Sequence, residues 1–180
     1  MIKLIKKIQD HFLVQRAAAF AAAKHAKQVR KYTGEPYWNH LHEVAQLVKN
    51  IAKSPAHVQA AAYLHDTVED TDTTNDEIKK HFGASVAKLV HEVTDQSKKT
   101  DGNRATRKEI DRKHLMGASR EGATIKLADF VSNTKSIVKH DPHFAKVYLR
   151  EKAAVLPHLA HGDPTLYKMA QRNIPNDDKK

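Results

Sequence analysis

The stretch Ala62-Tyr63-Leu64-His65-Asp66-Thr67-Val68-Glu69-Asp70 ends an apolar run in a His-Asp pair, and a Glu-Asp pair follows at once. In a continuous helix Glu69 would lie one turn after His65, and Asp70 one turn after Asp66, because residues four apart share a face. One imidazole and up to three carboxylates would then point into a small volume. Carboxylates that close repel one another, and burial raises the cost; a bound cation relieves both. The alternative is an acidic helix end running into a solvated turn. A divalent-metal site needs neutral imidazoles and ionised carboxylates converging from several elements. It therefore needs a second His from an earlier helix and an acid from a later one. His40 stands at the start of the second expected helix, and Asp129 interrupts the apolar run from Thr124 to Val131. A carboxylate there is costly without a cation or a donor. Taken singly, His40 could also be a surface or capping residue and Asp129 a polar-face residue; spacing alone decides neither.

Hydrophobic periodicity places helices around these residues. Ile5, Ile8, Phe12, Ala19, Phe20 and Ala23 recur at helical spacing from Ile2 to about Lys27. Residues Arg30 to Tyr37 contain Gly34 and Pro36 and read as a loop. From about Trp38 to Ala52, Leu41, Val44, Ala45 and Val48 share a face. Ser54-Pro55 reads as an N-cap followed by Pro at the first helical position. That helix carries Val58, Ala61, Ala62 and Leu64 into the His-Asp pair. Thr74-Asn75-Asp76-Glu77 is a capping box opening a short helix that Gly83 closes, and Ala84 to Thr94 is the next helix. The polar, Lys-rich residues Asp95 to Asn103 read as a mobile loop. Arg104 to Ser119 reads as a charged helix that Gly122 interrupts, with Ala123 to about Lys139 following. Asp141-Pro142 and Asp163-Pro164 open the last two helices, and residues 175–180 read as a frayed tail. No strand-period alternation, repeat or linker is visible. The expectation is an all-α protein, one helical bundle forming a single domain over residues 1–174.

Composition narrows the function classes. The chain has 180 residues, 40% hydrophobic and 29% charged, enough for one domain with a real core. It has no cysteine, which excludes disulfides, thiolate nucleophiles and Cys-based zinc sites and suits a reducing, cytoplasmic setting. No apolar run approaches the ~20 residues of a membrane span, and the N-terminus lacks a signal-peptide core. A formal net charge of +10 points to a polyanionic partner. The basic residues are scattered and aromatics are 6%, which weighs against nucleic acid and toward a small molecule carrying several phosphates. Nothing in the sequence sets an oligomeric state.

One ordered series of motifs goes further. It comprises Arg30-Lys31, Gly34-Glu35-Pro36-Tyr37 with His40, Leu64-His65-Asp66-Thr67-Val68-Glu69-Asp70-Thr71, Phe82-Gly83 with Val86, Val93-Thr94-Asp95, and Lys126-Leu127-Ala128-Asp129 with Asn133. The series resembles the HD-domain hydrolases of the RelA/SpoT group, most closely the stand-alone small alarmone hydrolases, and covers about residues 16 to 160 in that family's order. The resemblance implies an all-α HD-domain bundle that removes the 3′-pyrophosphate from guanosine tetra- or pentaphosphate, with Mn²⁺ as cofactor. It implies that His40, His65, Asp66 and Asp129 hold the metal. Glu69 and Asp70 would position and deprotonate the attacking water. Arg30 and Lys31 would meet the pyrophosphate, and Asn133 and Lys135 the nucleotide. These residue types suit the chemistry: a divalent ion lowers the pKa of water, and cations stabilise charge on phosphoryl oxygens. Arg30 and Lys31 could instead be solvated loop charges, and Asn133 a polar-face residue; Tyr37 reads as packing.

The sequence also departs from the family pattern. Leu41 replaces the Pro that follows the first His, and Trp38 a smaller aliphatic. Phe130 stands where the family carries a basic residue, and Thr134-Lys135 where it carries an apolar residue and Arg. Arg makes bidentate phosphate contacts that Lys cannot. These changes keep two other readings open. One is an HD phosphatase for another phosphorylated nucleotide, such as a nucleotide 3′-phosphate or NADPH. The other is a protein that keeps the fold and only binds a nucleotide or a protein partner. The 180 residues leave no room for a synthetase or regulatory domain, so degradation rather than synthesis of the alarmone is expected.

Overall fold

A computed structural model describes residues 1–174; the tail expected over 175–180 lies outside the described residues. Among these residues the chain forms ten α-helices, one 3₁₀ turn and no strand beyond an isolated Val29–Pro36 bridge. The helices are α1 (Ile2–Lys24), α2 (Trp38–Asn50), α3 (Ala56–Leu64), α4 (Thr67–Asp70), α5 (Asn75–Phe82) and α6 (Ala84–Val93). They continue as α7 (Arg104–Leu115), α8 (Arg120–His140), α9 (Pro142–Val155), the 3₁₀ turn Leu156–Leu159 and α10 (Pro164–Arg172).

The bundle is built on α8. Every residue from Gly122 to Ser132 is buried, Lys126 and Asp129 included. A helix that is apolar nearly all round has to sit in the middle, and α8 is covered by α2, α6, α9 and α10. Helix α3 is almost as enclosed, with Val58 and Ala60 to Leu64 buried, and packs against α1, α2 and α6. Ala17 and Ala21 of α1 and Ala60 and Ala61 of α3 are all fully buried; small side chains let helices approach closely. Three neighbours, α2, α3 and α8, are thereby fixed around one point.

Local signals set the helix starts. Side chains of Thr74, Asn103, Ser119, Asp141 and Asp163 each accept a backbone N–H in the first turn of the helix they precede. The structure departs from the sequence expectation at four boundaries. Helix α1 stops at Lys24, three residues early. Ser54 does not cap α3; Pro55 occupies the N-cap position, and the Ser54 carbonyl accepts from Gln59 Nε2 at 2.7 Å. Helix α7 ends at Leu115, and Ser119 belongs to the next helix as its cap. Gly122 therefore does not interrupt a helix but lies in the first turn of α8. A Cβ there would collide with the Glu92 carboxylate, which accepts from Ser119 Oγ at 2.6 Å and from its N–H at 3.1 Å. The loop after α6 is tied down where it begins: buried Asp111 accepts from the N–H groups of Gln96 and Ser97 and from Ser97 Oγ.

Candidate metal centre

His40 lies in the first turn of α2, and the loop before it is a tight turn. Arg30 N–H donates to Glu35 O at 2.8 Å and Tyr37 N–H to Gln28 O at 2.9 Å. Gly34 closes the turn at φ +69°, a left-handed conformation that glycine adopts without steric cost. The continuous helix expected through residues 65–70 does not form. Helix α3 stops at Leu64, a turn through His65 and Asp66 (φ −97°, ψ −3°) follows, and α4 runs for one turn.

The four residues expected to hold a metal come together. His65 Nε2 is 3.1 Å and His40 Nε2 3.5 Å from Asp66 Oδ2. The same two atoms are 3.8 and 3.4 Å from Asp129 Oδ1. The outer nitrogens are already used: His65 Nδ1 donates to Ala62 O at 2.8 Å. His40 Nδ1 donates to Ser132 Oγ at 3.0 Å, whose hydroxyl donates to Glu43 Oε2 at 2.6 Å. With the protons on Nδ1, each Nε2 presents a lone pair to the carboxylates. Both Nε2 atoms are buried without a hydrogen-bond partner. Lone pairs facing carboxylate oxygens at these distances repel unless a cation stands between them. A proton serves when nothing else does: burial pushes His65 down, but the carboxylates of Asp66 and Asp129 beside it raise it to about 10. Burial likewise works to raise Asp66 and Asp129. His65 and His40 beside Asp66, and Lys126 beside Asp129, hold both well below the usual carboxylate range. Two imidazoles and two carboxylates with lone pairs turned inward are a donor set for a divalent ion.

Neighbours fix these groups. Tyr37 Oη donates to Asp66 Oδ2 at 2.7 Å. Asn133 Nδ2 donates to Asp129 Oδ1 at 2.5 Å, and Arg30 Nη1 donates to Asn133 Oδ1 at 2.8 Å. Lys126 Nζ lies 3.5 Å from Asp129 Oδ2 and donates to Val93 O at 3.2 Å. Burial opposes its charge, but Asp129, Asp95, Glu69 and Asp66 raise its pKa. The sequence reading missed Lys126, Ser132 and Glu43 and took Tyr37 for packing. Only Lys126 left a signal, since a lysine inside the same apolar run as Asp129 needs a partner too. Replacing Tyr37 by Phe keeps the ring, which stacks on His25 at 5.3 Å, and removes only the donor to Asp66. Metal affinity should fall about tenfold, as when a hydrogen-bond partner of a ligand is lost. Calorimetric titration of the metal tests this; an unchanged affinity would mean that the hydroxyl does not orient Asp66.

The remaining expected site residues separate. Glu69 and Asp70 diverge: Glu69 Oε2 accepts the Asp95 N–H at 3.1 Å, while Asp70 Oδ2 accepts from Gln28 Nε2 at 2.8 Å on the α1 side. Glu69 stands at the edge of the cluster. Desolvation of its carboxylate, with Asp95 and Asp66 nearby, raises its pKa to about 7 against the pull of Lys126. Lys31 is not brought to the cluster; its Nζ lies over the rings of Tyr32 (4.9 Å) and Phe144 (5.7 Å). Lys135 pairs with Glu43 at 2.7 Å. Arg30, His40, Glu43, Ser132 and Lys135 line one cleft of about 230 Å³ that opens beside the metal ligands.

An all-α bundle carrying a His-Asp pair, a second His and a distant Asp around one point is the frame of an HD-type metal site. The sequence pattern of the HD domain matches residues 17–165, and the chain belongs to the HD-domain family, among the SpoT-type hydrolases. It is 42% identical over 133 residues to the human guanosine-3′,5′-bis(diphosphate) 3′-pyrophosphohydrolase MESH1, 70% of each chain. It is 38% identical over 165 residues to the guanosine-3′,5′-bis(diphosphate) 3′-pyrophosphohydrolase of Aquifex aeolicus, 87% of this chain but 23% of that one. The solved structure of a metazoan ortholog of SpoT that hydrolyzes ppGpp superposes with a TM-score of 0.80 at 28% identity, covering 89% of this chain and 93% of that one. Among the described residues no helix is long and apolar enough to cross a membrane.

Proposed function

We propose that this protein is a Mn²⁺-dependent hydrolase that removes the 3′-pyrophosphate of guanosine 3′,5′-bispyrophosphate, or of its 5′-triphosphate counterpart, giving GDP or GTP respectively and pyrophosphate. The observation that carries the reading is the pair of orphaned imidazole nitrogens facing two carboxylates, with Glu69 and Lys126 at the rim. The relatives' names supply the substrate class. In this reading His40, His65, Asp66 and Asp129 hold the ion. When bound, a divalent cation acidifies water and neutralises phosphoryl charge.

The chain's own groups do the rest. Glu69, poised near neutrality, takes the proton of the attacking water. The water oxygen bonds to the phosphorus joined to the sugar 3′-oxygen, the bond between that phosphorus and the 3′-oxygen breaks, and the sugar oxygen leaves as a hydroxyl with a proton from solvent, to which Glu69 returns the one it took. Lys126 offsets charge building on the phosphoryl oxygens. Asp70, turned to Gln28 on the α1 side, takes no proton in this reading. Arg30 and Lys135 meet substrate phosphates in the cleft, and Asn133 serves chiefly to hold Asp129. A cytoplasmic location fits a chain without cysteine.

A panel of phosphorylated nucleotides with Mn²⁺, the products separated by chromatography, tests the reading. GDP and pyrophosphate from the guanosine substrate are expected. The altered stretch Phe130, Thr134 and Lys135 is the reason to include a nucleotide 3′-phosphate and NADPH. Preference for either would replace the guanosine substrate, and metal-dependent binding without turnover would support a binding protein. Arg30 and Lys31 separate in the same assay. Arg30→Met frees Asn133 and so loosens Asp129; turnover should fall about 10- to 100-fold with less change in KM. Lys31→Met should move neither parameter by more than about twofold. Steady-state kinetics at low and high salt check both, and an Arg30 variant equal to wild type would remove the loop from the site.

A further inference from the structure

A cavity of about 320 Å³ lies between α7, α8 and α9. Its lining includes the apolar Leu115, Val147 and Val155 and the basic Lys108, Lys126 and Lys152. The cavity reaches the metal centre through Lys126, which lines it and lies 3.5 Å from Asp129 Oδ2, while Asp129 Oδ1 turns to the imidazoles. The carboxylates around it are engaged. Asp95 and Asp111 pair with Lys108 (2.6 and 3.2 Å), Glu109 with Arg112 (2.7 Å) and Glu151 with Arg104 (2.7 Å). Lys152 has no ion pair among the described residues. Its Nζ instead sits 3.9 Å from the centroid of the Phe130 ring and 5.0 Å from that of Tyr148. Two aromatic faces hold an ammonium in place without neutralising it. Burial, reinforced by Lys126, lowers its pKa to about 8. Two ammonium groups lining one cavity repel each other, and an anion between them would relieve the repulsion.

We propose that this cavity is a diphosphate seat in which Lys152 and Lys126 together hold phosphate oxygens. The proposal deepens the reading above and rests on it for the source of the diphosphate. That source is either the 3′-pyrophosphate extending past Asp129 or the 5′-diphosphate of the same nucleotide, and the position of Lys126 favours the first.

The test is calorimetric titration of the metal-free full chain with inorganic pyrophosphate and, separately, with GDP. Saturable pyrophosphate binding is expected, weakened about tenfold or more in Lys152→Met, the size of a lost hydrogen bond to a charged group. Lys152→Arg should restore most of it. Thermal melts show that the variants are folded; if Lys152→Met melts early, Lys152→Gln takes its place. If the substitution weakens GDP but not pyrophosphate, the seat stands and holds the 5′ end. Wild type that binds neither pyrophosphate nor GDP, or binding of both that is the same in wild type and Lys152→Met, overturns the proposal. The nucleotide panel is independent of this outcome: hydrolysis without a Lys152 effect removes the seat and leaves the enzyme. A Lys152-dependent pyrophosphate site with no hydrolysis removes the enzyme and leaves the seat.

Discussion

Asp66→Ala should abolish both metal binding and hydrolysis. Asp66 Oδ2 is the oxygen that approaches both imidazole nitrogens, at 3.1 and 3.5 Å, and Tyr37 holds it in place at 2.7 Å. Its removal takes a full charge out of a buried donor set and leaves Asp129 to balance the ion alone. The loss has a readout independent of turnover. A ligand present at 100 times its dissociation constant stabilises the folded state by about 2.7 kcal/mol. For a domain of this size that corresponds to about 5–10 °C in melting temperature, at roughly 2–4 °C per kcal/mol. Saturating Mn²⁺ should produce such a shift in the wild type and none in the variant. A variant that kept both its activity and its metal-dependent shift would take Asp66 out of the ligand set.

Glu69→Gln separates holding the ion from using it. Glutamine keeps the size of the side chain and its acceptor oxygen, so the hydrogen bond from the Asp95 N–H survives. It cannot take a proton. Metal content should stay near wild type while turnover falls by roughly 10²–10⁴-fold, the usual loss with a general base. The pH profile carries the sign. The Glu69 carboxyl, raised to about 7 chiefly by desolvation, is the active base only when ionised, so the wild-type rate should climb as pH rises through that region. A cation bound nearby favours the ionised form and moves the climb to lower pH. The Gln variant should lack it. Loss of metal together with activity would instead make Glu69 a ligand, and unchanged turnover would leave the base unassigned.

The all-α class, the order of helices and most of their starts were legible from local rules. The 3.6-residue period and capping side chains such as Thr74, Asp141 and Asp163 act within one or two turns, so a linear reading contains them. The residue types of the metal centre were legible for a similar reason: a His-Asp pair ending an apolar run, and an Asp inside another, are locally costly and ask for a partner. The helix break after Leu64 was not, and it is what turns Glu69 toward Asp95 and Asp70 toward Gln28, where spacing alone put both on the site. Only packing decided which partners met. His40 reaches Ser132 across 92 positions and Arg30 reaches Asn133 across 103, because α2 and α8 lie side by side. Tyr37 and Lys152 had no local cost to mark them, and the apolar run around Lys126 showed only that it needs a partner. Their roles follow from what stands opposite each in space, and that is fixed by how the buried faces of α3 and α8 close on their neighbours.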